Sequence, residues 1–284
     1  MLDAYSLYEL ALVALLGLGA GTLGGMLGVG GSVVMIPGLV FILGRATGTE
    51  QHLYQASAMI ANVAVSVPAA LRHRKAGAMD RRVLRWMLPA ALVCIVIGVS
   101  LSNLPVFHGQ EGGIWLGRVL ALFLLYVIYV NVRKLLTPKA PTAPQDESPA
   151  GNDRVTPGRS TLVGTIMGTT AGLMGVGGGG LAVPLQQTLM KLPLRTCIAN
   201  SSAVICFSAT LGAIYKNATL AEHATAGNAS LSWQTGLTLG LLLAPTAWLG
   251  GRLGATLTHR LPLRTIRIAF IALMLVACWK MAAI

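Results

Sequence analysis

One glycine-rich phrase occurs twice in this chain, each time within an apolar stretch. The first copy, GMLGVGGSVVMIP, occupies 25–37, and the second, GLMGVGGGGLAVP, occupies 172–184. Their glycines and prolines keep one offset, since 175 − 28 and 184 − 37 both equal 147. The duplication predicts two halves of similar structure, each of which accommodates a glycine run inside its most hydrophobic segments.

The composition indicates that lipid is the main solvent of these segments. Hydrophobic residues make up 54% of the 284 residues, charged residues make up 11%, and the mean hydropathy is +0.69. A soluble domain has about 25% charged residues, so we expect this chain to lie in a lipid bilayer. The net charge of +12 falls mainly between the apolar runs, where basic residues set membrane orientation. No base-stacking aromatic pattern accompanies it, and we expect no nucleic-acid partner.

The apolar segments fall into two length classes. A helix that crosses the bilayer needs about 20 residues. Six segments are long enough, namely 52–71, 83–101, 114–132, 197–215, 231–257 and 263–283. The four segments that flank the glycine runs are shorter, namely 7–23, 33–43, 161–173 and 181–192.

The charges of the loops assign each connection to a side of the membrane, because loops rich in Lys and Arg stay in the cytoplasm. Segments 72–85 and 258–267 are therefore expected inside, and 102–113 and 216–230 outside. The polar, proline-rich segment 133–159 is basic at both ends and is typical of a flexible cytoplasmic linker. The predicted parts are a first membrane repeat (1–132), this linker (133–159) and a second membrane repeat (160–284).

The same assignment makes each glycine-rich phrase the turn of a hairpin. Residues 160–192 enter from the cytoplasm and return to it, and their arms of about 13 and 12 residues are too short to cross separately. The first copy then starts and ends outside, which places the N-terminus in the periplasm. The last span leaves the cytoplasmic loop 258–267, so the C-terminus is expected in the periplasm as well. We predict an all-α polytopic membrane protein of two inverted repeats, each with a glycine-rich broken helix or re-entrant hairpin followed by three transmembrane helices. Because 7–23 is nearly long enough to cross alone, a break in a full span remains the alternative to a re-entrant loop.

The glycine runs are the predicted substrate site. A break in a helix frees backbone N–H groups and presents the positive end of the next half-helix, and glycine permits the positive φ that aims those groups at an anion. Ser32 is expected to cap the half-helix after the first run. Scarce polar side chains within the spans complete the site, with interhelical hydrogen bonding as their alternative role. The candidate binding residues are Gly28, Gly30, Gly31, Ser32, Ser57, Asn62, Gly175, Gly177, Gly178, Gly179, Gly180, Gln186, Asn200, Ser201 and Ser202.

Glycines spaced by four residues precede each run and predict close helix packing. Small residues at this spacing are common where membrane helices touch. The two ladders are Gly17, Gly21 and Gly25 in the first half, and Gly164, Gly168 and Gly172 in the second.

Several other kinds of site are disfavoured by the sequence. Segments 19–24 and 175–180 match GxGxxG, but they lack the preceding soluble strand and the acidic partner of a dinucleotide fold. The four cysteines show no CxxC pair and no neighbouring His cluster, so we expect no metal site. We see no catalytic pair within the spans and expect neither an enzyme nor a cofactor. No carboxylate lies in the middle of a span, which leaves the coupling ion open between a proton and sodium.

The duplicated GxxGxGGG-like run ending in proline, the Arg/His–Gly–Asp loop at 72–80 and the closing LGGRLGATLTHRLPLRTIRIAF resemble the TauE/SafE family of sulfite exporter or sulfonate permease proteins. The resemblance covers essentially the whole chain. It implies a secondary transporter of the bacterial inner membrane that moves a small sulfur-containing or organic anion by alternating access. An anion channel with the same pore and a structural membrane protein remain alternatives, since the sequence alone does not separate them.

Overall fold

The computed structural model describes residues 6–43, 50–136, 154–223 and 231–258, and the single positions 268, 271, 272, 275, 278 and 279. In these ranges the regular structure is helical. The α-helices are α1 Leu7–Leu27, α2 Ser32–Leu43, α3 Gln51–Lys75, α4 Arg81–Ser102, α5 Gly109–Leu136, α6 Pro157–Met174, α7 Gly179–Leu185, α8 Leu194–Ala218 and α9 Trp233–Leu257. Short turns of other helix types are Pro105–Phe107, Gln186–Met190 and Leu220–His223.

Five of the described helices, α1, α3, α4, α5 and α8, are long and apolar enough to cross a membrane. The expectation of a polytopic, all-helical membrane protein is therefore confirmed. The fifth long segment of the sequence, 231–257, forms the 25-residue helix α9. The sixth, 263–283, lies almost entirely outside the described residues.

Each glycine run joins a long helix to a short one. Helix α1 has 21 residues and α2 has 12. Helix α6 has 18 residues. After the second glycine turn, the seven-residue helix α7 continues into a short π-helix, Gln186–Met190. The expected 13-residue first arm of the second pair was too short, because α6 begins earlier, at Pro157, where the Thr156 side chain caps it. Helix α1 begins at Leu7 as expected and continues to Leu27, where Gly28 adopts a left-handed conformation.

The two glycine ladders lie against helices of the opposite half, which confirms their predicted packing role. A Cβ at Gly21 would lie 3.0 Å from the Ala247 Cα of α9, and one at Gly168 would lie 2.9 Å from the Ala91 Cα of α4. Such distances are below ordinary van der Waals contact. Any side chain at these positions would therefore push the two helix backbones apart, and only glycine permits their close packing. Helix α1 thus packs on α9, and α6 packs on α4.

Helices α3 and α8 form the centre of the described bundle. They pack on each other, α3 also packs on α9, and α8 also packs on α4. The predicted linker begins later than expected, because α5 continues to Leu136, and α6 begins at Pro157; residues 137–153 lie outside the described residues. Lys216, expected in an external loop, instead belongs to α8 and is fully buried.

Candidate substrate site at the two glycine turns

Both turns use backbone conformations that favour glycine. In the first, Gly28 and Gly30 have φ of +63° and +87°, and in the second, Gly175 and Gly177 have φ of +73° and +75°. A Cβ disfavours this left-handed region, whereas glycine enters it freely. The shared phrase therefore encodes one turn geometry twice.

The two turns touch each other directly. A Cβ at Gly179 would collide with the carbonyl oxygen of Gly28 and would lie 2.7 Å from the Cα of Val29. The first turn also packs on α8, where a Cβ at Gly28 would lie 2.9 Å from the Cα of Ile198. The repeated glycines thus bring two interrupted backbones into one place in the interior.

Asn62, near the middle of α3, lies between the turns. Its Oδ1 accepts hydrogen bonds from the backbone N–H groups of Gly31 at 2.7 Å and Ser32 at 3.4 Å. Its Nδ2 faces the second turn, where a Cβ at Gly177 would collide with it. This Nδ2 atom is buried and has no hydrogen-bond partner among the described residues. One carboxamide therefore caps the first turn and presents its donor to the second.

The expected cap by Ser32 is replaced by that of Asn62. The Ser32 hydroxyl donates to the carbonyl of Ala58 at 3.0 Å and so ties the start of α2 to α3. At the second turn Gly178 is the N-cap of α7, and no side chain of the described residues is seen to make a capping hydrogen bond there.

Two of the candidate serines bond to backbone carbonyls of other segments. Ser201 donates to the Gly28 carbonyl at 2.8 Å, and Ser57 donates to the carbonyls of Leu53 at 2.9 Å and Gly236 at 3.1 Å. Ser201 thus contacts the first turn itself, whereas Ser57 joins α3 to α9. Ser202 follows Ser201 in α8 and is also buried.

Asn200 and Gln186 form a network apart from the contact between the turns. Asn200 Oδ1 accepts from the backbone N–H of Asp80 at 2.9 Å, and Asn200 Nδ2 donates to Gln186 Oε1 at 3.2 Å. Gln186 Nε2 in turn donates to the carbonyls of Ala182 at 3.2 Å and Cys197 at 3.4 Å. Both carboxamides thus join α8 to the π-helix Gln186–Met190 and to the start of α4.

Gln55 was not among the candidate residues, yet it lies at the second turn. Its side chain is 0% exposed, and neither Oε1 nor Nε2 has a hydrogen-bond partner among the described residues. A Cβ at Gly175 would lie 2.8 Å from the Gln55 Cβ. The duplication contains the signal that identifies it, because QASAM at 55–59 corresponds to NSSAV at 200–204 and aligns Gln55 with Asn200.

The site therefore offers backbone turns and neutral amide groups. In the described part of the chain, no group of three or more His, Cys, Asp or Glu side chains could hold a metal ion. At the turns, the buried amide donors of Gln55 and Asn62 have no acceptor among the described residues. Such groups suit a ligand that carries several acceptor oxygens.

Comparisons with known proteins agree on a transport family. Two proteins named "Probable membrane transporter protein MamO" are similar, with the one from Magnetospirillum gryphiswaldense 27% identical over 99% of this chain and 46% of its own length. The chain thus spans less than half the length of these MamO relatives. "Probable membrane transporter protein YunE" of Bacillus subtilis is 26% identical over 94% of this chain and 95% of its own length. A "Probable membrane transporter protein" of Haemophilus influenzae is 24% identical over 95% of this chain and 97% of its own length.

No solved structure matches the chain. The family model described as "Sulfite exporter TauE/SafE" matches residues 13–281, nearly the full 284 residues and both glycine turns. Together with the multi-pass helical architecture, this match shows that the chain belongs to the sulfite exporter TauE/SafE family of membrane proteins.

Proposed function

We propose that this protein is a secondary transporter that moves a small sulfur-containing or organic anion, such as sulfite or a sulfonate, by alternating access. The observation that carries the proposal is the meeting of the two glycine turns at Asn62 and Gln55, whose buried amide donors have no acceptor among the described residues. The relatives' names support membrane transport. The anion and the mechanism are our inference from the chemistry of the turns.

The amide groups support a ligand site because a buried polar group without a partner is costly. Leaving one unsatisfied costs about 1–3 kcal/mol. Asn62 leaves one such donor, and Gln55 leaves both ends of its carboxamide. Native proteins retain such groups where function requires them, and a substrate that accepts their hydrogen bonds recovers this cost.

The orientation of Asn62 favours an anion over a cation. Its Oδ1 accepts from backbone N–H groups at the start of α2, which is the positive end of that helix. Polarisation along such a chain of hydrogen bonds strengthens the outer donor, Nδ2. Hydrogen bonds to a charged ligand contribute about 1.5–3 kcal/mol each. A few such bonds against the cost of desolvating an anion correspond to micromolar to millimolar affinity.

The contacts between helices support inverted repeats as the basis of alternating access. The first helix of each half packs on the fourth helix of the other half, α1 on α9 and α6 on α4, and the third helices α3 and α8 pack on each other. Reciprocal contacts of this kind are expected when a pseudo-two-fold axis relates the halves of a transporter. If each half adopts the conformation of the other, the site opens to the opposite side of the membrane. The inward-open and outward-open conformations are then expected to have similar free energies.

We further propose an orientation in the bacterial inner membrane. Both termini lie in the periplasm, and the linker 133–159 between the repeats 1–132 and 160–284 lies in the cytoplasm. Single cysteines at positions 3 and 147, in a cysteine-free background, are labelled with a membrane-impermeant reagent. Position 3 should react from outside the cell, and position 147 only after the membrane is opened. Reaction of both from one side contradicts the inverted repeat.

The function itself is tested with purified protein in liposomes. Labelled sulfite, thiosulfate, a sulfonate and a carboxylate are offered singly, and uptake is followed against concentration. We expect saturable uptake of at least one anion and acceleration of labelled uptake by the unlabelled anion inside. Uptake that neither saturates nor shows this counterflow supports the alternative, an anion channel with the same pore. Transport of none of the anions, or of a cation in their place, contradicts the proposal.

A further inference from the structure

A fully buried lysine lies at the end of the bundle where α3 begins and α4 and α8 end. Lys216 has 0% exposure, and within the described residues it is the one lysine or arginine that is buried in this way. Its Nζ lies 2.6 Å from Ser102 Oγ, 2.8 Å from His52 Nδ1 and 3.1 Å from Asn103 Oδ1. An ammonium group has three N–H donors, so each of them has one acceptor.

The acceptors belong to a polar cluster that joins three helices. His52 Nε2 lies 2.9 Å from the carbonyl oxygen of Phe107, which can only accept, so Nε2 carries the hydrogen and Nδ1 is left as an acceptor in the neutral ring. Asn103 also donates from Nδ2 to Thr219 Oγ1 at 2.8 Å. Lys216 is thus one donor that links both the start of α3 and the end of α4 to its own helix.

No carboxylate compensates the charge of Lys216 among the described residues. The other titratable groups of this region have different neighbours. The Glu50 carboxylate accepts from Tyr54 Oη at 2.6 Å, and Tyr215 Oη lies 3.0 Å from Ser100 Oγ. His108 Nε2 lies 2.8 Å from the Asn103 carbonyl, and Glu222 is exposed. An unpaired charge in the interior is costly, and lysine, unlike arginine, exists as a neutral amine in proteins.

The number of N–H donors on Lys216 links its proton to the packing of the helix ends. When the ammonium loses a proton, one Nζ–H bond breaks and the proton passes to water that enters between the helix ends. The neutral amine keeps two N–H groups and no longer satisfies three acceptors. One of the links among α3, α4 and α8 is then lost, which favours the separated arrangement.

We propose that Lys216, with His52, binds the proton that is coupled to transport, and that release of this proton accompanies opening of this end of the bundle. The inference rests on the proposed function, since coupling requires a transported anion. It selects a proton over sodium as the coupling ion, because an ammonium group occupies the centre of the cluster. Closing of the helix ends takes the proton up again from water.

The first test compares two modes of transport of labelled methanesulfonate, which stays ionised over the working pH range. Exchange at equal pH on both sides requires no net proton movement, whereas uptake driven by a pH gradient does. In Lys216→Gln we expect gradient-driven uptake to fall about tenfold more than exchange, the size of a typical coupling between sites. Lys75→Gln, an exposed lysine at the other end of α3, is the matched control and should change neither.

The outcomes separate the two proposals. Absence of methanesulfonate exchange in the unaltered protein contradicts transport of sulfonates. The proton site is then decided by the substrate-free measurement below. Equal loss of exchange and gradient-driven uptake in both Lys216→Gln and His52→Gln overturns the proton site, because it indicates a purely structural role. Uptake that follows a sodium gradient and ignores the pH gradient overturns it as well.

A second measurement needs no substrate. A single cysteine at Ala56, a buried position one helical turn after His52, reports opening through its reaction with a maleimide. We divide its labelling rate by that of an exposed cysteine to remove the effect of pH on the thiol reaction. This ratio should rise about tenfold with pH when Lys216 is present, and should not change with pH in Lys216→Gln. An equal rise in both proteins contradicts the proposal.

Discussion

At the first glycine turn, the N–H groups of Gly31 and Ser32 donate to Asn62 of the same half, whereas no described side chain caps the second turn. The side chains that follow the repeat also differ. Asn200 is engaged with Asp80 and Gln186, but its counterpart Gln55 has no partner within the described residues. The backbone is duplicated, and the polar side chains around it are not.

From this difference we propose that the two halves have unequal roles in the site. Helix α3 supplies side chains to both turns, since Asn62 lies at Gly30 and Gly177, and Gln55 lies at Gly175. On α8, Asn200, the counterpart of Gln55, is engaged with Asp80 and Gln186, and Ser201 donates to a carbonyl of the first turn. We therefore expect substrate to contact α3 and the second turn more closely than α8. Changes at the two turns should accordingly have unequal effects, which the following substitutions measure.

The largest effect is expected for Gly177→Leu. A side chain there collides with Asn62 Nδ2 and must adopt φ of +75°. Overpacking and left-handed strain together cost about 3 kcal/mol, which corresponds to roughly 100-fold in transport. Gly30→Leu should have a similar effect through the same carboxamide. Gly19→Leu, with nothing within 4 Å of its Cβ, is the control. Normal counterflow in Gly177→Leu would refute a site at the turns.

A smaller loss is expected for Asn62→Ala. The substitution leaves the N–H groups of Gly31 and Ser32 without their acceptor and removes the donor that faces the second turn. Losing one such bond costs about 1–3 kcal/mol, so affinity should fall about 30-fold, and Tm should fall with it. Asn131→Ala removes a bond to the Val127 carbonyl within α5 and serves as control. Titration calorimetry that gives equal Kd values for the two variants argues against a role for Asn62 in binding.

The comparison of counterparts is tested most directly by Gln55→Ala against Asn200→Ala. Gln55→Ala should weaken binding about tenfold with little change in Tm, since the side chain has no protein bond to lose. Asn200→Ala should lower Tm, because the Asp80 N–H and Gln186 lose a partner, and should change Kd less. The reverse ranking of the two Kd values would place the substrate at α8 and not at α3.

The smallest effect on binding is expected at the ladders. In Gly168→Ala the new Cβ approaches the Ala91 Cα of α4 at 2.9 Å, which costs about 1–3 kcal/mol of folding stability. Thermal unfolding should therefore shift downward while the Kd of the folded protein stays within about twofold. If Gly168→Ala abolishes binding in protein that remains folded, ladder and turn do not have separate roles.

Much of the fold follows from patterns that are local in the chain. Hydrophobic runs predict the spans, and the four-residue spacing of Gly17, Gly21 and Gly25 predicts the packing that α1 makes on α9. The length of α6 did not follow, because the Thr156 cap lets the helix begin at Pro157, before the apolar run. The position of Lys216 did not follow either, since its acceptors lie 113 residues and more away in the chain.

The sequence by itself determined that the chain crosses a membrane and that each copy of its repeated phrase turns at glycines with positive φ. These properties depend on hydropathy and on the absence of a Cβ, which are read residue by residue. Only the tertiary structure decided that Asn62 caps one turn and faces the other, that Asn200 is engaged, and that Gln55 is not. The physical reason is that a buried hydrogen bond depends on which helix faces pack together, and two copies of one phrase can pack against different neighbours.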